Sequence, residues 1–176
     1  MTRSHGDFSY SVLIHDWQFA EIYRRMLHDD LLWAAWPDTD DNEWSEDYFC
    51  GRLARNNILV LGGYVGDELA GVMTLTAVAE KTLCAEIGLT AFREYFPIAR
   101  DLCAGALIRG FELTGAKSFI GRIAAPHQHI LRMFARLGFE KLGRVPGMIW
   151  HSRKGNFVDG ILVAATPDSV REKIGG

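Results

Sequence analysis

The sequence predicts one mixed α/β domain over residues 1–176, with about six to seven strands and about four helices around a single core. Three observations carry this. The apolar period switches repeatedly along the chain between about 3.6 residues and 2. The changes of period are punctuated by glycine, and no internal repeat, low-complexity run or linker divides the chain. At 48% hydrophobic and 23% charged, a chain of 176 residues buries a proper core in one unit.

Residues 8–14 read as a first strand, and Asp16 as the N-cap of a helix over 17–28 that carries Phe19, Ile22, Tyr23 and Met26 at helical spacing. The next segment is the most unusual in the chain: Trp33, Trp36 and Trp44 lie among Asp38, Asp40, Asp41, Glu43, Glu46 and Asp47. Ser45 then opens a second helix to about residue 55, with acids at its N-terminal end and Arg52 and Arg55 at its C-terminal end, as the helix dipole favours.

From residue 58 the period becomes 2. Strands over 58–65 and 69–79 flank the turn Gly66-Asp67, and a further strand covers 82–92. That strand sets Ala85, Ile87, Leu89 and Ala91 on one face and Glu86, Gly88 and Thr90 on the other. Pro97 opens a helix to 114 with a wide apolar arc, suited to packing on a sheet. The stretch 115–139 reads as strand 118–123, helix 126–137 and a glycine stop at Gly138. Its helix carries Ile130, Met133, Phe134 and Leu137 on one face and Gln128, Arg132 and Arg136 on the other. Strands at 139–145 and 160–165, joined by a loop, and a short polar tail complete the chain.

Composition excludes several roles. A net charge of -3 with no basic stripe excludes nucleic acid as a partner. No apolar run reaches the roughly 20 residues of a membrane span, and the first residues lack the apolar core of a secretion leader. Cys50, Cys84 and Cys103 are widely spaced in apolar segments, which fits reduced buried thiols and a cytoplasmic setting. His127 and His129, two residues apart on a helix, point to different faces, so no metal site is expected.

The order of elements, with Glu86-Ile87-Gly88-Leu89, Phe111-Glu112-Leu113-Thr114-Gly115 and the ending Arg136-Leu137-Gly138-Phe139, resembles the GNAT superfamily of acyl-CoA-dependent N-acyltransferases. Within it, the chain is similar to the branch that acetylates N-terminal alanines of ribosomal proteins, whose related sequences are often found in phage and prophage genomes. The resemblance covers roughly residues 58–165 and implies a mostly antiparallel mixed sheet. It implies acetyl-CoA as co-substrate and a small-molecule or peptide amine as acceptor, and it is compatible with a homodimer.

The resemblance also implies roles for particular residues. Leu89, Thr90 and Ala91 would hold the pantetheine arm on a splayed strand, and Glu86 would be the general base. The family's glycine-rich pyrophosphate loop falls on residues 94–99, where only Ala99 fits the pattern and Tyr95 and Pro97 replace glycines. Arg93 and Arg100 flank it and would supply guanidinium contacts instead. His127 stands where the family usually has asparagine and would touch the cofactor. Phe134 takes the place of a tyrosine that protonates the leaving thiolate, and it has no proton to give.

The acidic segment 38–47 is expected to border the acceptor and attract a cationic amine, and its tryptophans to line the pocket or pack the core. Two functions follow: acetyl transfer by direct attack, or a GNAT-fold binding or assembly module without catalysis. The order of elements and Glu86 favour the first, whereas the missing glycines and Phe134 favour the second.

Overall fold

The strands that the period-2 segments form are β1 (Phe8–Leu13), β2 (Ile58–Val65), β3 (Glu68–Ala77), β4 (Cys84–Ala91), β5 (Ser118–Ala124), β6 (Glu140–His151) and β7 (Asn156–Ala165). In the computed structural model, which describes residues 8–32, 45–77 and 83–175, they make one sheet in the order β1-β2-β3-β4-β5-β7-β6. Every neighbouring pair is antiparallel except β4 and β5, which are parallel. The helices are α1 (Asp16–His28), α2 (Glu46–Leu53), α3 (Ala99–Thr114), α4 (Gln128–Arg136) and α5 (Pro167–Gly175), with a 3-10 segment at Arg93–Ile98.

Alternation along β2 and β3 gives the sheet two apolar faces. Leu61 and Met73 point to one face, whose core they share with Leu107 and Phe111 of α3, Phe134 of α4, Leu137 at the end of α4, and Phe119. Val60 and Val72 point to the other face, where Phe19, Ile22 and Met26 of α1 and Phe49 and Leu53 of α2 cover them. Full burial of one such side chain stabilises the fold by about 1.5–3 kcal/mol. Cys103 lies in the first of these clusters, and burial pushes its thiol up to about 12, so it stays protonated and unreactive there.

Most boundaries fall where the sequence puts them. Ser45 caps α2, its hydroxyl accepting from the Tyr48 N–H at 3.2 Å, and Gly115 ends α3 at φ +64. Elsewhere the structure corrects the reading. His15, not Asp16, is the N-cap of α1, with the Gln18 side chain accepting from the His15 backbone N–H at 3.0 Å. Pro97 lies in the 3-10 segment, and α3 begins two residues later, at Ala99. Likewise α4 begins at Gln128, after a turn that contains Pro126.

The supposed loop near 151–159 is largely strand, because β6 and β7 form a long hairpin whose register breaks between Val145 and Ile149 and then resumes. The tail is a fifth helix. Thr166 and Ser169 exchange backbone and hydroxyl hydrogen bonds at its start, and Val170 is fully buried. Gly138, at φ +92, lets the chain after α4 approach the backbone of Ser169, where no Cβ fits. Trp33, Trp36, Trp44, Asp38, Asp40, Asp41 and Glu43 lie outside the described residues.

Candidate active site

The parallel ladder between β4 and β5 is short. Cys84 pairs with Ser118, Ala85 with Phe119 and Glu86 with Ile120, and there it stops. Beyond Glu86, β4 continues to Ala91 bonded only to β3, while β5 continues to Ala124 bonded to β7. Each strand thus follows its antiparallel partner, and the two splay into a fork. From residue 87 onward the β5-facing backbone groups of β4 are left for another partner to satisfy. The chain turns into α3 after one strand and α4 after the other, so both helices start from the open end of the fork. Parallel strands commonly bind ligands at such a crevice beyond their carboxyl ends.

A cavity of about 300 Å³ occupies the fork. Two glycines hold its walls back. A Cβ on Gly88 would meet the Thr74 hydroxyl oxygen at 2.7 Å, and one on Gly121 would meet Val163 at 3.0 Å and Phe134 at 3.3 Å. Phe134 is 5% exposed, its ring 4.8 Å from that of Phe139, and it closes the α4 side. The α1–α2 side is polar. Thr74, Thr76, Glu86 and Arg122 line it, joined by Arg52 of α2 and Arg55 just beyond that helix.

Glu86 accepts a hydrogen bond from the Arg122 guanidinium, each side chain being about a third exposed. At that exposure the pair contributes little stability, about 0–1 kcal/mol, and its main effect is to fix where both groups sit. His127 also faces the cavity, its ring centroid 5.4 Å from that of His151, which is 7% exposed. Burial, above all, holds the His127 imidazole below its ordinary pKa, with repulsion from His151, His129 and Lys154 adding to it. It is therefore neutral at neutral pH and can accept a proton. The Trp150 indole N–H is buried in the same wall without a hydrogen-bond partner among the described residues.

Of the residues singled out in the sequence, Glu86, Leu89, His127 and Phe134 meet around this cavity. Thr90 and Ala91 follow on the stretch of β4 that no longer pairs with β5. Arg93 is tied to Asp29, its backbone N–H donating to the carboxylate at 2.7 Å and its guanidinium to the carbonyl at 2.8 Å. Ala99 and Arg100 form the first turn of α3, and Arg100 donates to the Lys173 carbonyl at 3.1 Å. Residues 94–98 are anchored to α1 and β3 by Glu94 with Arg25 at 2.7 Å and by the Tyr95 hydroxyl donating to Glu68 at 2.6 Å.

Sequence reasoning missed Arg122, His151 and Trp150, and took Arg52 and Arg55 for helix-end charges. Alternation along β5 was the available signal for Arg122. It puts Ile120 and Arg122 on one face, and only the parallel register shows that Glu86 shares it.

No protein-family model matches the sequence, and no curated protein matches it. Solved structures do. A ribosomal-protein-S5-alanine acetyltransferase from Vibrio fischeri matches at 14% identity and TM-score 0.73, over 96% of this chain and 97% of that one. The chain has the GNAT acetyltransferase fold. The likeness extends to Mycobacterium smegmatis RimJ in complex with CoA-disulfide, at 17% identity and TM-score 0.77 over 97% and 89% of the two chains. It extends also to a Vibrio cholerae spermidine N-acetyltransferase in complex with CoA and spermine, at 14% identity and TM-score 0.76 over 93% and 97%. The GNAT fold accounts for the mixed sheet with its single parallel pair. No helix among the described residues is long and apolar enough to cross a membrane.

Proposed function

We propose that this protein transfers an acetyl group from acetyl-CoA to a primary amine by direct attack, with the pantetheine arm lying in the fork between β4 and β5. The fork is the observation that carries the reading. Its unpaired β4 backbone fits an arm made of amide groups, as an added strand would fit a sheet edge. Solved structures of the same fold in complex with CoA support the co-substrate. In this reading Leu89, Thr90 and Ala91 border the arm. The first turn of α3, at Ala99 and Arg100, meets the phosphates, with Arg93 beside it, since a helix N-terminus favours an anion.

The co-substrate supplies an activated thioester, and this chain's residues hold the amine and take its proton. His127 is the proton acceptor, because it lines the cavity and burial keeps it neutral at neutral pH. Glu86 is already held by Arg122 and acts as a positioning residue on the opposite wall. Phe134 has no proton to give, so the departing thiolate takes its proton from water.

Calorimetric titration with acetyl-CoA, followed by a CoA-release assay over a panel of amines, tests the reading. Binding and turnover are expected, with turnover falling about 100-fold in His127→Gln while cofactor affinity holds. Absence of binding at millimolar acetyl-CoA overturns the proposal. Binding without turnover on any amine points instead to a CoA-binding module without catalysis.

A further inference from the structure

Beyond Glu86 the sheet divides into two halves, β1 to β4 and β5 with β7 and β6, and the end of α1 is bonded to both. Arg93 stands just past the end of β4. Its backbone N–H donates to the Asp29 carboxylate at 2.7 Å, and its guanidinium donates to the Asp29 carbonyl at 2.8 Å. The next residue, Asp30, accepts a hydrogen bond from the Arg153 guanidinium. Arg153 belongs to the tip between β6 and β7, which runs past the open end of β5, since β5 stops at Ala124 opposite Gly160 and β7 begins at Asn156. Two neighbouring carboxylates thus reach opposite sides of the fork.

The backbone singles out Asp30. Its φ is +56, in the left-handed region, and among the described residues it is the one position there that is not glycine. Glycine would adopt that conformation freely, but it has no carboxylate to offer Arg153. The hairpin tip carries the contact inward. The Gly155 backbone N–H donates to the His151 carbonyl at 3.0 Å, closing the turn that holds Arg153. His151, 7% exposed, sets its ring 5.4 Å from that of His127, and Ile149 and Trp150 line the cavity beside it.

We propose that the end of α1 is a clasp across the open end of the fork, in which Asp29 holds the β4 side and Asp30, through Arg153, holds the hairpin so that Ile149, Trp150 and His151 stay over the cavity. The consequence for turnover rests on the acetyl-transfer reading of the same cavity, whereas the effect on the hairpin does not. Asp30 touches no reacting atom and is a positioning residue. Its pair with Arg153 is exposed, 63% at Asp30 and 49% at Arg153, so it biases the hairpin by a few-fold rather than locking it.

Amide hydrogen exchange in the protein without ligand tests the clasp by itself. The amides of residues 149–151 and 155 should exchange about two- to fivefold faster in Asp30→Asn and in Asp30→Gly than in the wild type, as loss of an exposed ion pair allows, while those of β2 and β3 hold their rates. Asparagine suits the left-handed backbone and glycine relieves it, so a loss shared by both follows the carboxylate. About 1 M NaCl should speed the wild type toward the variants and leave the variants unchanged. Unchanged exchange at the hairpin in either variant, or faster exchange spread evenly over β2 and β3, overturns the proposal whether or not an amine is acetylated. In a CoA-release assay the amine KM should rise about two- to fivefold in Asp30→Asn with kcat and acetyl-CoA affinity held, and Asp30→Glu should recover part of it. A change in kcat alone, or in acetyl-CoA affinity alone, would overturn it even if the protein acetylates amines.

Discussion

β4 lives in two settings. At Ala85 and Glu86 it is paired on both edges, with β3 and with β5, whereas over residues 87–91 it keeps β3 and loses β5. The paired end stands beside Phe119, fully buried and stacked on Phe111 with ring centroids 3.8 Å apart. The open end borders a cavity with two glycines, a neutral histidine and several guanidiniums. One strand thus serves stability at one end and chemistry at the other. Substitutions at the two ends should therefore separate into those that unfold the protein and those that silence it.

The largest effect is expected at the paired end. Phe119→Ala should cost about 4 kcal/mol in a denaturant unfolding experiment, since it removes a fully buried ring from the core. A cost below about 1 kcal/mol would show that this end is not where the fold is anchored.

At the open end, His127→Gln should reduce turnover about 100-fold while leaving unfolding nearly unchanged. The pH profile gives a sharper test. His127 sits below its ordinary pKa, so wild-type activity should be full at neutral pH and fall only as pH drops through that lowered value, when the imidazole takes up a proton and stops acting as a base. The variant should lose that acid limb, and its survival would assign the titration to another group.

Gly88→Ala should narrow the cavity, because its Cβ would stand 2.7 Å from the Thr74 hydroxyl. A loss of about 1–3 kcal/mol, divided between stability and acceptor KM, is expected from such overpacking. Adding Thr74→Ala should restore much of it, and no rescue would mean that the glycine serves another purpose. The smallest effect belongs to Trp150→Phe, whose stability should change by less than about 1 kcal/mol, in the favourable direction if anything. It removes a buried N–H that has no partner among the described residues.

The same division explains what could be read from the chain. Elements whose one face is buried announced themselves: β2 and β3, the alternation of β4, the broad apolar arc of α3, and the stripe of α4 with Phe134 buried and Leu137 at its C-cap. The second half of β6 and the start of β7 did not. β6 is an edge strand exposed along most of its length, and its Pro146-Gly147 break mimics a loop. α5 was hidden because Val170 is its one buried residue among polar neighbours. At the site, Glu86 and His127 could be found on their own elements, but the Glu86–Arg122 pair spans 36 positions and exists only through the parallel register. Arg52 and Arg55 make sense as helix-end charges until α2 is placed over the cavity.

The fork is the central claim, and amide NMR during titration with acetyl-CoA tests it most directly. Chemical-shift changes and slowed hydrogen exchange are expected at residues 87–91 and 121–124, with the amides of Ala85 and Glu86, already paired on both sides, nearly unmoved. Saturable binding that leaves residues 87–91 unperturbed, or no binding at millimolar acetyl-CoA, would contradict it.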